Sequence, residues 1–401
     1  MKEDFLQIIW QMQNFYLPAE STEGCSIRVL KPGIRNRENG PDFLHSRIFM
    51  DQMEWNGAVE VHVRAGEWYA HGHQSDPAYD GVILHVVWEE DRPVFRRDGS
   101  RIPALELKSR ISLNQLLHYR NLLSASNQIP CTGLNRKIPE ILKNSMLETA
   151  LAERLWRKAN ELLEKHKSGG FDWQRTAAIW LARCLGMPGN EDPMESLIHK
   201  LSQRRLRRVL SQPLDEMDFF SPPGTLRSIL DSGESRETSP KIPVQNTDFQ
   251  EIPIPWKTGG RRPAALPFVR IKLLARLINH FSEWPDIGPE PDFVDFILQR
   301  GEKVPGWLRN HLRINFQAIY QLARFIQAGV PDAGNRAMEY LRKLDAEENQ
   351  VTRRMTASGF FIASAADSQG GKELLDSRCS RKKCMDCRIG LALISGPISR
   401  E

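Results

Sequence analysis

The chain has 401 residues, of which 40% are hydrophobic and 26% charged, with a formal net charge of +5 and a pI near 8.8. That length predicts two or three domains with ample core; the mild basic balance is compatible with a nucleic-acid partner without requiring one, and six cysteines are too few for a disulfide scaffold. No run of roughly eighteen apolar residues occurs, and the opening MKEDFLQIIW is acidic where a signal peptide is basic, so a cytoplasmic protein with no membrane association is expected.

The first element is an amphipathic helix over Glu3 to Tyr16, with Phe5, Ile8, Ile9, Met12 and Tyr16 at helical spacing. Ser26 to Leu30 reads as a short strand, and Lys31-Pro32-Gly33 turns the chain toward Asn39 to Asp42. Strands follow at about 45 to 51 and 57 to 64. In the second, alternation puts Val59, Val61 and Val63 on one face and Glu60 with His62 on the other. A hairpin between these strands returns Asp42 to the side of Glu60, and a carboxylate pair is an oxygen site for Mg²⁺ or Mn²⁺. Acids near turns are also ordinary surface residues, so the spacing alone does not establish a metal site.

Downstream, Glu67 to Asp80 carries His71, His73, Asp76 and Tyr79, and the hydrophobic strand that begins at Val82 carries His85. With His45 and His62, half of the 10 histidines fall in about forty residues, an enrichment that composition does not require. His71-x-His73 followed by Asp76 has the ligand types of a Zn²⁺ site, whereas His85 reads equally as a buried histidine bonded to a neighbour. Strands are expected at about 82 to 89 and 93 to 108, and Glu106-Leu107-Lys108 is read as a strand-end ion pair.

From about Leu113 helical periodicity dominates, with helices over Leu142 to His166 and Trp173 to Leu185. The run Arg204-Arg205-Leu206-Arg207-Arg208 reads as a solvated face, and residues 212 to 260, rich in Pro, Ser and acids, as a linker or long loop. Arg261 and Arg262 precede an apolar helix over Phe268 to Phe281 and are the candidate phosphate contacts; docking is the expected role of Pro263 and Arg270. Helices over Trp307 to Ala328 and Asn335 to Ser358 complete the region. Near the end, Cys379, Cys384 and Cys387 stand at C-x4-C-x2-C, the close spacing of a thiolate metal site; Cys131 is the candidate fourth ligand, while Cys25 and Cys184 are ordinary thiols.

The block Gly40-Pro41-Asp42-Phe43, Trp55 to His62, Trp68 to Tyr79 and Val82 to Val87 resembles an uncharacterised bacterial family known as a domain of unknown function. The order Pro-Asp, hairpin, Glu-x-(basic) is similar to the PD-(D/E)XK nuclease superfamily. That resemblance implies a mixed α/β sheet flanked by helices, Asp42 and Glu60 as metal ligands, and His62 in the position of the usual lysine. One cysteine outside such a core and three near the carboxyl terminus is similar in plan to the iron-sulfur exonucleases among helicase-nucleases and CRISPR-associated enzymes, with spacings that leave a [4Fe-4S] cluster and Zn²⁺ both open. The expectation is therefore a nuclease-like α/β domain over 1 to 112, a helical domain over 113 to 211, the linker, and a helical domain over 261 to 401 with the cysteine motif.

The expected reaction is metal-dependent phosphodiester hydrolysis of nucleic acid, with DNA as substrate by analogy only. In it Asp42 and Glu60 hold the ion, His62 orients or deprotonates water, and His71, His73, Asp76, Tyr79 and His85 shape the pocket. Two rival expectations are a non-catalytic nucleic-acid-binding or repair-accessory protein, and a zinc hydrolase of a small substrate built on the histidines.

Overall fold

The computed structural model describes residues 2–200, 257, 267–278, 280–281 and 292–395. In chain order the first elements are α1 (Glu3–Gln11), β1 (Ala19–Glu20), β2 (Ser26–Lys31), β3 (Ile34–Arg35), β4 (Phe43–Met50), β5 (Met53–Arg64), α2 (Glu67–Ala70), β6 (Val82–Glu89), β7 (Ala104–Glu106) and α3 (Leu113–Ser124). The strands form one seven-stranded sheet in the order β1-β2-β4-β5-β6-β7, with β3 paired on β4.

The sheet is mixed because its connections differ in length. Asp51 and Gln52 both take positive φ, 44° and 71°, so β4 and β5 close as a tight antiparallel hairpin with Met50 opposite Met53. From β5 the chain crosses through α2 and two short 3-10 turns before β6, and β6 then lies parallel to β5, as does β7 to β6. A strand expected over 93 to 108 shrinks to β7 plus a single Phe95–Arg101 bridge, because Asp98 accepts the N–H of Ser100 at 2.8 Å and Gly99 takes a left-handed φ, which turns the chain there.

α1 packs on β5 and β6 with Phe5, Leu6, Ile8, Ile9 and Trp10 buried. Another cluster gathers Ala58, Ala65, Trp68, Tyr79, Val82, Val87, Val94, Ile102 and Ala104. Centrally placed β5 is therefore buried from Ala58 to His62. Full burial of its polar Glu60 and His62 is the feature that local patterning does not require.

The chain divides into two compact units: Met1–Leu147 with Arg353–Phe361 and Lys372–Glu401, and Glu148–Thr352 with Ile362–Gly371. The first holds the sheet. The second is helical, with Leu155, Leu162, Trp180, Leu274, Phe293, Phe316, Leu322 and Leu341 in one core. Its helix expected over 307 to 328 is interrupted by a π turn at Arg313–Gln317, and the helix expected over 335 to 358 is two helices, Ala333–Arg342 and Gln350–Ala357. Asn349 starts the latter by accepting the N–H groups of Val351 and Thr352 at 2.8 and 3.0 Å. Arg270 lies over the ring of Trp307 at 4.6 Å, within this unit.

Arg204 to Arg208, Arg261, Arg262 and Pro263 lie outside the described residues, as does the expected linker apart from Lys257. Among the described residues no helix is long and apolar enough to cross a membrane.

Candidate metal site on the central strand

Asp42 and Glu60 meet. Pairing of Phe43 with Val59 across β4 and β5 brings the residue before β4 opposite Glu60. The Asp42 N–H donates to Glu60 Oε2 at 3.0 Å, and Asp42 Oδ2 accepts the N–H of Val61 at 3.1 Å. Gln7, from α1, donates to Asp42 Oδ1 at 2.8 Å and to Glu3 Oε1 at 3.0 Å. Burial, and then the Asp42 charge, push the Glu60 carboxyl strongly up; burial likewise raises Asp42, opposed by its bonds from Gln7 and Val61. Glu3 joins the same acidic group, raised to about 7 by burial first and by Asp42 and Glu67 next.

The histidines converge on the same point. His62, two residues beyond Glu60 on the same strand face, places Nε2 3.5 Å from Glu60 Oε1 and 3.2 Å from His71 Nδ1. His73 Nε2 also lies 3.5 Å from Glu60 Oε1. The ligand atoms of His62, His71 and His73 all fall within 4.8 Å of one another. Between the last two, Gly72 adopts φ +78° in open space, so the chain reverses and both rings face the strand. His62 is buried, His73 partly so and His71 exposed, which leaves the site open on one side.

His85, on β6 opposite Glu60, is fully buried with Nε2 2.8 Å from His62 Nδ1. Among the described residues its Nδ1 has no hydrogen-bond partner. Burial, followed by the neighbouring imidazoles, lowers His62 to about 2; burial and His71 lower His73 to about 4; burial and His73 lower His85 to about 3. All three are neutral at pH 7, the state in which imidazole nitrogen donates to a metal.

Tyr79 stacks on His73 with centroids 3.8 Å apart, and burial followed by the Glu60 and Asp42 charges pushes its hydroxyl up to about 12. Trp68, completely buried, stands edge-on to Tyr79 and His73 and donates its indole N–H to Phe95 O at 3.2 Å, so it walls the site from beneath. Asp76 accepts the Ala78 N–H at 2.9 Å and caps the turn that carries Tyr79. Lys108 pairs with Glu89 at 3.2 Å, and Glu106 accepts the Glu90 N–H, so this E-x-K group sits in strand-end contacts.

Glu3 and Gln7 were not among the residues singled out by spacing. The signal for them exists: their i, i+4 separation puts two polar side chains on one face of an amphipathic helix.

The donor set fits a divalent ion. Four bonds of about 2.1 Å at tetrahedral angles separate their donor atoms by about 3.4 Å; His62 Nε2 to His71 Nδ1 at 3.2 Å, and Glu60 Oε1 to His62 Nε2 and His73 Nε2 at 3.5 Å, are near that spacing, while the group that lies mutually within 4.8 Å is the three histidines without Glu60. Three imidazoles and a carboxylate suit Zn²⁺, Mn²⁺ or Fe²⁺ better than Mg²⁺, which prefers oxygen.

No curated protein and no solved structure matches the chain. Residues 3–288, most of its length and all of the site just described, match the model of a family described as a protein of unknown function, DUF2851, and the chain belongs to that family.

Proposed function

We propose that the protein is a divalent-metal-dependent hydrolase of phosphodiester bonds in nucleic acid, with DNA the first substrate class to test. One observation carries the reading: the ligand atoms of His62, His71 and His73 lie within 4.8 Å of one another, with Glu60 Oε1 3.5 Å from His62 Nε2 and from His73 Nε2 and the second carboxylate of Asp42 beside it. A divalent ion on these donors supplies an acidic water and a counter-charge for the phosphate. Burial raises Glu3, Asp42 and Glu60, and they repel one another; Arg35 and hydrogen bonds from Gln7 and the backbone offset part of this, and a bound cation would offset more.

Residues of the chain divide the remaining work. Asp42, held by Gln7 and Val61, is the base that accepts the proton of the attacking water. His85 sets the tautomer of His62 by accepting its Nδ1–H, which leaves Nε2 with a free lone pair. Tyr79 stays protonated and offers its hydroxyl to a phosphate oxygen. The test is cleavage of labelled single- and double-stranded DNA and RNA with Mn²⁺, Zn²⁺ or Mg²⁺ by the unmodified chain and by Asp42→Asn and Glu60→Gln. Metal-dependent cleavage lost in both variants supports the reading; metal-independent binding without cleavage points instead to an accessory protein.

A second reading has its own support. The three imidazoles of His62, His71 and His73 have the ligand types of a zinc hydrolase site, which would act on a small ester. Turnover of a chromogenic phosphodiester with Zn²⁺, together with inert nucleic acid, favours it.

A further inference from the structure

Four of the six cysteines form a second group in the first unit, apart from the residues of the proposed hydrolytic site. Cys131, Cys379, Cys384 and Cys387 are 8 to 9% exposed, and all are free thiols. Cys131 interacts electrostatically with Cys387 and Cys384, Cys379 with the other three, and Cys384 with Cys387, so a residue some 250 positions upstream has joined the terminal motif. Hydrophobic packing does not explain gathering four thiols, since each buried sulfur is a weak polar group that gains little from another.

Burial pushes all four thiols up in the metal-free chain, and the local architecture partly opposes that rise. The sulfur of Cys387 accepts the backbone N–H groups of Ile389 and Gly390, the first turn of the helix Arg388–Ser395, which favours a negative sulfur there. Gly390 is required by space: a Cβ at this position meets the Cys384 carbonyl oxygen at 2.1 Å, so the helix start is pressed against the loop that carries the other ligand. Positive charge surrounds the group, with Lys143 acting on Cys131, Arg378 on Cys379 and Cys387, and Lys382 on Cys384. These cations are themselves fixed: Lys143 Nζ donates to Gly359 O at 3.0 Å, Lys382 Nζ to Leu123 O at 2.8 Å and Arg378 Nε to Asp386 O at 3.1 Å. The loop of Cys131 is held to Ser358 by Asn135 Nδ2 at 2.7 Å and Thr132 Oγ1 at 2.9 Å.

Sulfur spacing bears on the class of centre. A single Zn²⁺ with bonds of about 2.3 Å draws its four sulfurs to about 3.8 Å from one another. Among the described residues, the group of three ligand atoms lying within 4.8 Å is the histidine trio, and no three of these sulfurs crowd to that distance. A polynuclear iron-sulfur core, with iron at its corners between the thiolates, holds them farther apart than a single ion does, and the cations Lys143, Arg378 and Lys382 offset the negative charge of such a centre.

We propose that Cys131, Cys379, Cys384 and Cys387 ligate an iron-sulfur cluster, on four buried sulfurs drawn from distant parts of the chain, no three of which close to within 4.8 Å of one another. The experiment is anaerobic purification of the full chain carrying His62→Ala, which removes metal held at the histidine site, followed by iron, zinc and acid-labile sulfide analysis with a visible spectrum. Iron and sulfide in equal amounts with a broad visible absorbance are expected, retained in Cys25→Ser and reduced at least tenfold in Cys379→Ser and Cys131→Ser. Zinc alone, or neither metal with four freely alkylated thiols, overturns the assignment. Should the serine variants fail to fold, native mass spectrometry of the His62→Ala chain decides the matter: an excess mass equal to an iron-sulfur core supports the cluster, and the bare polypeptide mass refutes it.

Discussion

Asp42 and Glu60 hold each other through the backbone: the N–H of Asp42 donates to the Glu60 carboxylate at 3.0 Å, while the Asp42 carboxylate accepts the N–H of the residue after Glu60 at 3.1 Å. This reciprocal pair fixes Asp42, just before β4, against Glu60 on the antiparallel β5, which holds the two repelling acids together. Fixed repulsion of that kind is a condition that a cation resolves.

Removing a ligand is expected to separate binding from folding. His73 and His71 lie on a turn rather than in the sheet, so His73→Ala should leave thermal unfolding within a few degrees of the unmodified chain while Mn²⁺ or Zn²⁺ affinity falls strongly, as calorimetric titration will show. Asp42→Asn should lose about 10²- to 10⁴-fold in kcat with little change in metal affinity, the signature of a lost base.

His85 acts through His62. Replacing it with Phe removes the partner that fixes the His62 tautomer, and metal affinity should drop about 10- to 100-fold although residue 85 touches no ion. An unchanged affinity contradicts the assignment of His62 Nε2 as the donor.

Stability of the metal-free chain should pass through a maximum in mildly acidic solution. Glu3, raised from 4.5 to about 7, and Glu60 and Asp42, also raised, keep protons that the unfolded chain releases; their contribution is complete below the ordinary carboxyl range and is lost as pH rises. His73, His62 and His85, lowered from 6.5 to about 4, 2 and 3, refuse protons that the unfolded chain takes up, so stability also falls as pH drops below 6.5. Urea unfolding in chelator from pH 4 to 9 measures both arms. Glu60→Gln should flatten the alkaline arm, and Mn²⁺ at a hundredfold excess over Kd should lift it by about 2.7 kcal/mol.

Two glycines should respond differently to alanine. Gly72→Ala meets no neighbour and pays only for φ +78°, about 1 kcal/mol, with weakened metal binding as the histidine turn relaxes. Gly390→Ala drives a methyl into the Cys384 carbonyl oxygen, so the cysteine loop has to move and the iron content of the purified chain should fall, while metal affinity at the histidine site stays unchanged.

Trp68→Ala should cost about 3 to 5 kcal/mol, because the ring is wholly buried and supports His73, Tyr79 and His85 together. Differential scanning calorimetry reads the loss, and histidine-site metal affinity should fall with it.

Sequence by itself determined the strand that carries Glu60 and His62, the hairpin that returns Asp42, and the cysteine motif, because period-two alternation, turn residues and close ligand spacing are local properties of the chain. It also offered a carboxylate site and a histidine site as rivals. Only the tertiary structure decided that they are one place: the reversal at Gly72 and the parallel pairing of β6 carry His71, His73 and His85 onto Glu60, and α1 delivers Glu3 and Gln7 to Asp42. The same limit applies to the break near Asn349, whereas Cys131 was already legible as the candidate partner of the terminal cysteines. Contacts between distant segments depend on how whole elements pack, and residue spacing along the chain does not encode that packing.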